Sequence, residues 1–181
     1  EAADGSQLAD PSLVIYNAMR QSGSRFIVSN GTQTDTIFDG FQSGDFFVDC
    51  LLAERHEPDA PNFTPRISGC LAMPDDGARM WLSVISASRF DSGHSEHRFF
   101  RYTDVPPGYG FCVTTYQADG DPLPPFQGPP LLMPLAGSSD EIGDTYWKAL
   151  DEDNRISLAV KRIDPDGSSS DIAVTNRYAR N

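Results

Sequence analysis

Four short β-like runs follow one another in the middle of this sequence, and they limit its fold more than any other feature. Each run is rich in β-branched and aromatic residues, and Asp-Gly, Ser-Gly or Pro-Gly pairs separate consecutive runs. The runs are RISGCLAM (66–73), MWLSVISAS (80–88), HRFFRYTDV (97–105) and GYGFCVTTYQ (108–117). Because tight turns join antiparallel neighbours, the pattern predicts an antiparallel meander.

Two strands and two helices are predicted before the meander. PSLVIYN (11–17) and SRFIVSN (24–30) read as strands joined by a tight connection. Apolar residues then recur at helical spacing in 32–44, which predicts a helix with threonine caps at its start and a stop at Gly44. A second helical pattern covers 45–56.

The elements predicted after the meander complete a mixed order. Ser138 and Glu141 form a capping-box pattern ahead of a helix, and RISLAVKRI (155–163) and SDIAVTN (170–176) read as strands. Antiparallel strands with helices grouped between them favour an α+β sandwich over a doubly wound parallel sheet.

The length of 181 residues fits one domain. The proline-rich segment 118–137 contains Phe, Leu and Met, which favours an extended surface wrap over a linker between domains. We therefore expect a single domain over 1–181.

Charge and cysteine usage narrow the partners and the compartment. A net charge of −12 repels nucleic acid and anionic membranes, and no apolar run is long enough to span a bilayer. Twelve of the 14 cationic residues are arginine, so an anion site would depend on forked guanidinium hydrogen bonds. Three scattered cysteines and a start without signal-peptide features favour the cytoplasm.

The first candidate site is Ser29-Asn30-Gly31-Thr32-Gln33-Thr34-Asp35, where a predicted strand end meets a predicted helix start. Helix N-terminal N–H groups attract anions, Gly31 permits close backbone approach, and Asn30 can both donate and accept hydrogen bonds. The same residue types also serve as ordinary helix caps, and Asp35 can simply offset the helix dipole. Ligand contact and capping both stay open.

The second candidate site is the loop from His56 to Arg66, which three prolines stiffen. Glu57 could act as a general acid or base, and Arg66 could hold a phosphate or a carbonyl oxygen. A solvated turn is the alternative, because charged loops usually face water.

Other polar residues carry weaker signals. Tyr16 ends an apolar run and is more often a core-edge tyrosine than a proton donor. His94, Glu96 and His97 could suggest a metal, but they lack the helical spacing and a third distant ligand, and no metal site is predicted. The common hydrolase, NTPase and dinucleotide motifs are missing from the sequence.

Five segments together resemble a known family. They are DPSLVIYNAMR, FIVSNGTQTDTI, EPDAPNFTPRISG, TTYQADGDPLPPF and KALDEDNRISLAVKRI. In this order they resemble a bacterial homologue of the archaeal-type IMP cyclohydrolase. The resemblance implies closure of 5-formamidoimidazole-4-carboxamide ribonucleotide (FAICAR) to IMP with loss of water, in purine nucleotide biosynthesis.

The family resemblance also implies a fold and an environment. It implies a four-layer αββα sandwich of antiparallel sheets, like that of N-terminal nucleophile hydrolases, without the self-processing nucleophile. It further implies no metal and no cofactor, and a homo-oligomer.

Site roles follow from the same resemblance. Tyr16 and Glu57 would be catalytic, as the groups that move protons. The implied substrate-binding residues are Asn17, Arg20, Asn30, Gly31, Asp35, Asn62, Thr64 and Arg66.

The family carries an N-terminal strand region before the DPSL segment, with a glycine-rich stretch and an active-site arginine. This sequence shows neither, so we expect a domain without those strands. A noncatalytic purine-nucleotide-binding module and a purely structural partner domain are the alternatives to an enzyme.

Overall fold

The computed structural model describes residues 15–73, 79–168 and 170–178. Contacts divide the chain into two compact units. The first comprises the described parts of Glu1–Asp104 with Cys112–Leu131, and the second comprises Val105–Phe111 with the described parts of Leu132–Asn181. The single domain over 1–181 stays a prediction.

A five-stranded antiparallel sheet forms the frame of the first unit. Its strands lie side by side in chain order, as in a meander. They are β1 (Met19–Ser22), β2 (Arg25–Ser29), β3 (Arg66–Ala72), β4 (Arg79–Ala87) and β5 (Ser95–Tyr102). The helices α1 (Gln33–Ser43) and α2 (Phe47–Leu51) come between β2 and β3 in the chain. The predicted meander is confirmed for its first three runs.

The predicted first strand, PSLVIYN, is wrong for its described residues. Residues 15–17 lie outside any strand, and 11–14 lie outside the described residues. The hairpin turns at Gly23, whose φ of 58° suits glycine, so Ser22 pairs with Arg25 and β1 reaches back only to Met19. β1 therefore begins after the apolar run 11–17, where the sequence predicted the first strand.

The fourth predicted run does not extend the meander. Within it, β6 (Tyr109–Cys112) pairs with β7 (Leu131–Pro134) in a separate two-stranded sheet. Pro106 and Pro107 precede β6, and neither can donate a backbone hydrogen bond to a neighbouring strand. The addition of this run to the meander is a wrong prediction.

The core of the first unit lies between the two helices and one face of the sheet. Strand alternation sends every second side chain to this face, and its buried residues form one cluster. The cluster consists of Ile27, Ile37, Phe41, Phe47, Cys50, Leu51, Cys70 and Ile85. Gly44 ends α1 with φ 93°, as predicted, whereas α2 covers only part of the predicted 45–56 helix.

The second unit contains the C-terminal helix and hairpin. Ser138 and Glu141 form the predicted capping box of α3 (Ser139–Ala149). The strands β8 (Ser157–Ile163) and β9 (Ser170–Asn176) pair in antiparallel, as predicted, and α3 packs against both. Helices and antiparallel sheets make the fold class α+β. Within the described ranges, no helix has the length and apolarity needed to cross a membrane.

The packing of α1 on α2 depends on Gly40. A Cβ atom there would lie 2.4 Å from Cys50 Sγ and 3.3 Å from Cys50 Cβ. We expect Gly40→Ala to lower the free energy of unfolding by about 1–3 kcal/mol through overpacking, although alanine favours a helix by about 1 kcal/mol. Urea denaturation followed by circular dichroism measures the change.

Gly143→Ala in α3 is the matched control, because the nearest atom to its new Cβ, Val160 Cγ2, is at an ordinary 3.7 Å. It should be neutral or stabilising. Adding Cys50→Ala to Gly40→Ala should recover part of the loss, since it removes Sγ. Equal effects of the two glycine substitutions would contradict the close contact.

Candidate functional site

Arg66, the first residue of β3, is the centre of the candidate site. Its Nη1 lies 3.0 Å from Glu57 Oε1 and donates to Gln33 Oε1 at 2.7 Å. Its Nε donates to the carbonyl oxygen of Arg55 at 2.8 Å, and Glu54 Oε2 lies 3.8 Å from the same atom. These contacts hold the guanidinium in one orientation beside the Glu57 carboxylate.

Gly31 lets these groups approach one another. A Cβ atom at this position would lie 2.6 Å from Gln33 Oε1, 2.8 Å from Arg66 Nη1 and 3.4 Å from Glu57 Oε1. A Cβ atom here would therefore require the ends of the Gln33 and Arg66 side chains to move. The predicted close approach at Gly31 is made by the protein's own side chains.

Asn30 connects the turn to β3 with its whole side chain. Its Oδ1 accepts from the Ile67 backbone N–H at 2.9 Å and from Gln33 Nε2 at 3.0 Å. Its Nδ2 donates to the Pro65 carbonyl at 2.9 Å and to Thr115 Oγ1 at 3.3 Å. These four bonds use the full capacity of an amide, so Asn30 sets the geometry of the turn.

The threonines of the turn do not act as a simple side-chain cap. Thr32 is the N-cap of α1 but makes no side-chain cap bond, and its Oγ1 accepts from Arg66 Nη1 at 3.2 Å. Thr34 is fully buried, with its hydroxyl 2.5 Å from that of Ser29. Side chains of the turn thus connect to one another and to Arg66.

The loop from His56 to Arg66 is only partly solvated. His56 and Glu57 are 7% and 8% exposed, so the alternative of a solvated turn does not hold for them. Burial lowers the pKa of His56, which keeps its ring neutral near pH 7, and its Nδ1 lies 2.8 Å from Ser95 Oγ. The Glu57 N–H donates to the Thr64 carbonyl at 2.9 Å, which closes the loop.

Two predicted binding residues support this loop from within. The Thr64 N–H donates to Asp59 Oδ1 at 2.7 Å, and the Thr64 hydroxyl lies 2.6 Å from that of Tyr116. Asn62 Oδ1 accepts from the Leu123 N–H at 3.0 Å. Thr64 and Asn62 therefore fix the shape of the loop that carries Glu57.

Tyr16 is half-buried and lies within the electrostatic range of Glu57. Burial, followed by the negative charge of Glu57, raises the pKa of the phenol above its ordinary value. The hydroxyl therefore stays protonated at neutral pH. The two residues expected to be catalytic therefore interact electrostatically.

Three further predicted residues form a separate cluster at the first turn of α1. Asp35 accepts from Asn17 Nδ2 at 3.0 Å and from Arg20 Nη1 at 2.7 Å. The hydrogen bond from Asn17, assisted by Arg20, holds the pKa of Asp35 below its usual range. The Arg20 guanidinium also lies 3.3 Å from the centre of the Phe38 ring. Asp35 is thus ionised and bound by its two neighbours.

The sequence assigned no role to Gln33 within the first candidate site, and it did not point to Tyr116. Gln33 is fully buried and bridges Asn30 and Arg66, and Tyr116 contacts Thr64 from a distant part of the chain. Its amide side chain, close in sequence to Asn30 and Gly31, could have indicated a hydrogen-bonding role for Gln33. No local signal pointed to Tyr116, because its partner lies 52 residues earlier.

The histidines weighed as metal ligands have other contacts. His94 Nδ1 lies 2.8 Å from Asp91 Oδ2, and His97 Nε2 lies 2.9 Å from the Glu54 carbonyl. Among the described residues, no group of three or more His, Cys, Asp or Glu side chains could hold a metal ion.

Comparison with known protein families identifies the family of this chain. The profile of the family described as IMP cyclohydrolase-like protein matches residues 1–168. The chain belongs to this family.

Three archaeal IMP cyclohydrolases are similar to this chain over part of their length. IMP cyclohydrolase of Haloquadratum walsbyi is 37% identical over 87 residues, which are 46% of this chain and 41% of the relative. That of Halobacterium salinarum is 38% identical over 89 residues, covering 47% and 43%. That of Methanopyrus kandleri is 29% identical over 117 residues, covering 62% and 52%. The alignments thus span about half of the length of these relatives or less.

The four bonds of Asn30 generate a stability prediction. Asn30→Ala leaves the Ile67 N–H and the Gln33 amide without their acceptor in a half-buried setting. We expect the free energy of unfolding to fall by about 2–4 kcal/mol. Asn17→Ala removes an exposed amide whose hydrogen bonds among the described residues go to Asp35, so it should cost less than about 1 kcal/mol. Urea unfolding curves compare them, and similar costs would count against the central place of Asn30.

Proposed function

We propose that this chain is an IMP cyclohydrolase that closes FAICAR to IMP and releases water. The observation that carries the proposal is the buried Glu57 carboxylate, paired with Arg66 at 3.0 Å and close enough to Tyr16 to raise its pKa. Membership of the IMP cyclohydrolase-like family and the names of the archaeal relatives support the same activity.

The reaction moves protons in two stages. As the carboxamide nitrogen of FAICAR attacks the formyl carbon it loses a proton, and the tetrahedral oxygen gains one to become a hydroxyl. The hydroxyl then gains a second proton and leaves as water, while the formamide nitrogen loses its own proton as the C=N bond forms. Glu57 is proposed to accept the nitrogen proton, since the positive charge of Arg66 favours its ionised form. Tyr16 is proposed to donate to the developing oxyanion, since its phenol is protonated at neutral pH.

Binding is proposed to hold the formamide over the carboxamide. An intramolecular attack needs mainly the correct rotamer, so positioning supplies much of the acceleration. The turn of Asn30, Gly31 and Asp35, with Asn17 and Arg20, is the proposed nucleotide edge. Asn62 and Thr64 would shape the opposite side. Arg66 would orient Glu57 and add positive charge toward the phosphate or the carbonyl oxygen.

The wider setting is proposed on the same basis. The family supports a four-layer αββα sandwich like that of N-terminal nucleophile hydrolases, built as one domain. It also supports a homo-oligomer that works in the cytoplasm with FAICAR and IMP as its small-molecule partners. Chemistry by two side chains requires no cofactor.

Replacing Glu57 tests the proposed base. Glu57→Gln keeps the shape of the side chain and removes its charge, so we expect turnover to fall by about 100-fold or more while IMP affinity changes only a few-fold. The absorbance change on conversion of FAICAR to IMP measures turnover, and calorimetry measures IMP binding.

Glu54→Gln is the matched control, because Glu54 is also a carboxylate beside Arg66 but lies farther away, at 3.8 Å. It should keep most of the turnover. Turnover by Glu57→Gln at the level of the unmodified protein would remove Glu57 from the mechanism. IMP binding by the unmodified protein without any turnover would identify a noncatalytic nucleotide-binding module instead.

Replacing Tyr16 tests the proposed donor. Tyr16→Phe removes only the hydroxyl, so we expect turnover to fall by about 10²-fold or more with little change in IMP affinity. Because the pKa of Tyr16 is raised, the unmodified enzyme should show no loss of activity from phenol ionisation between about pH 7 and 9. An alkaline loss in this range that Tyr16→Phe abolishes would contradict the raised pKa.

A further inference from the structure

A cleft opens on the helix-facing side of the five-stranded sheet, at the end remote from Arg66. Its volume is about 490 Å³, which is within the usual range for small-ligand sites. Strand ends form its floor, and the start of α2 with the end of α1 forms one wall. Its lining combines three arginines with four aromatic rings. These are Arg25, Arg79, Arg101, Phe41, Phe46, Phe47 and Trp81.

The strand registers place the arginines around an open floor. Ala72 of β3 lies between Arg25 of β2 and Arg79 of β4 in one row across the sheet. In the next row on the same face, Trp81 lies beside Arg101 of β5. Because neighbouring strands are about 4.8 Å apart, Arg25 and Arg79 stand roughly 10 Å apart across a residue with a very small side chain.

Three arginines around one cleft are unusual for this protein. The chain carries a net charge of −12 and only 14 cationic residues, yet three of them line one cavity. Arg25 and Arg101 take no part in the ion pairs formed by the described residues. Guanidiniums that line one cavity repel one another, and an anion bound between Arg25 and Arg101 lowers this repulsion.

Aromatic rings give the cleft a second kind of recognition. Phe46 is 73% exposed at its edge, and Trp81 is partly exposed on its floor. The guanidinium carbon of Arg25 lies 4.7 Å from the centre of the Phe41 ring, and that of Arg101 lies 5.8 Å from the Trp81 ring. Flat, exposed rings beside forked cations suit a ligand that has both a planar ring and several negative charges.

We propose that this cleft binds a nucleoside di- or triphosphate, with the base against Phe46 or Trp81 and the phosphates on Arg25 and Arg101. The site is separate from the proposed catalytic site. Arg66 and Ala72 are at opposite ends of β3, so about 20 Å and the apolar core lie between the two sites. The proposal does not depend on the cyclohydrolase activity.

Trp81 provides a direct test. The chain has two tryptophans, and Trp147→Phe leaves Trp81 as the only one. In this variant, titration with ATP or GTP should change the Trp81 emission excited at 295 nm and reach saturation. Adenosine and inorganic triphosphate should each bind at least about 10-fold more weakly, because each lacks one half of the recognised ligand.

Arginine substitutions assign the binding to the cleft. Arg25→Ala and Arg101→Ala should each weaken ATP binding by roughly 10- to 100-fold, the usual cost of a lost charge-assisted hydrogen bond. Arg89→Ala is the matched control, since it also removes one exposed guanidinium from the first unit but lies outside the cleft. It should leave ATP binding unchanged. Circular dichroism checks that each variant is folded.

Other outcomes would overturn the proposal. These are the lack of a saturable response to ATP and GTP at millimolar concentration, or equal affinities of the cleft variants and Arg89→Ala. If inorganic triphosphate bound as tightly as ATP, the cleft would not recognise the base. Competition between IMP and ATP would place ATP in the proposed catalytic site. Glu57→Gln should still bind ATP normally, which separates this site from failure of the proposed activity.

Discussion

The pleat of strand β3 is the constraint on which the first unit depends. Every second residue of this strand faces α1 and α2, so Arg66, Ser68, Cys70 and Ala72 share one side of the sheet. Cys70 joins the apolar core, and burial raises the pKa of its thiol to about 12. Arg66 begins the candidate catalytic site, and Ala72 forms the floor of the arginine-lined cleft. Along its length, one face of this strand thus carries the polar candidate site, then the apolar core, then the arginine-lined cleft.

Burial of charge makes the Arg66 end of that face the most demanding part of the unit. Removing a carboxylate and a guanidinium from water costs several kcal/mol per ion, so the pair persists only with good geometry and additional hydrogen bonds. Gln33, Thr32 and the Arg55 carbonyl supply these bonds to Arg66. Gly31 leaves the space in which they meet. A site held so completely by its neighbours can present Glu57 in a fixed position, as proton transfer requires.

Sequence patterns predicted most of the helix ends and strands that depend on neighbouring residues. The α1 stop at Gly44 follows from a positive φ that suits glycine, and the α3 start follows from the Ser138–Glu141 capping box. Strands β2 to β5 and the β8–β9 hairpin follow from β-branched runs between turn residues. The start of β1 was missed because the Gly23 turn, and not the apolar run before Tyr16, sets its pairing.

The sequence by itself determined the α+β class, the two polar segments that meet at the site, and the likeness that links Tyr16 with Glu57. These depend on residue type and order, which a pattern contains. Only the tertiary structure decided that protein partners saturate Asn30 and that Gln33 bridges Asn30 and Arg66. It also decided that Tyr116 contacts Thr64, and that Asn17 and Arg20 both bind Asp35. It also gathered Arg25, Arg79 and Arg101 around one cleft. Hydrogen bonds and charge clusters of this kind join residues far apart in the chain, and strand register, which no local pattern encodes, brings them together.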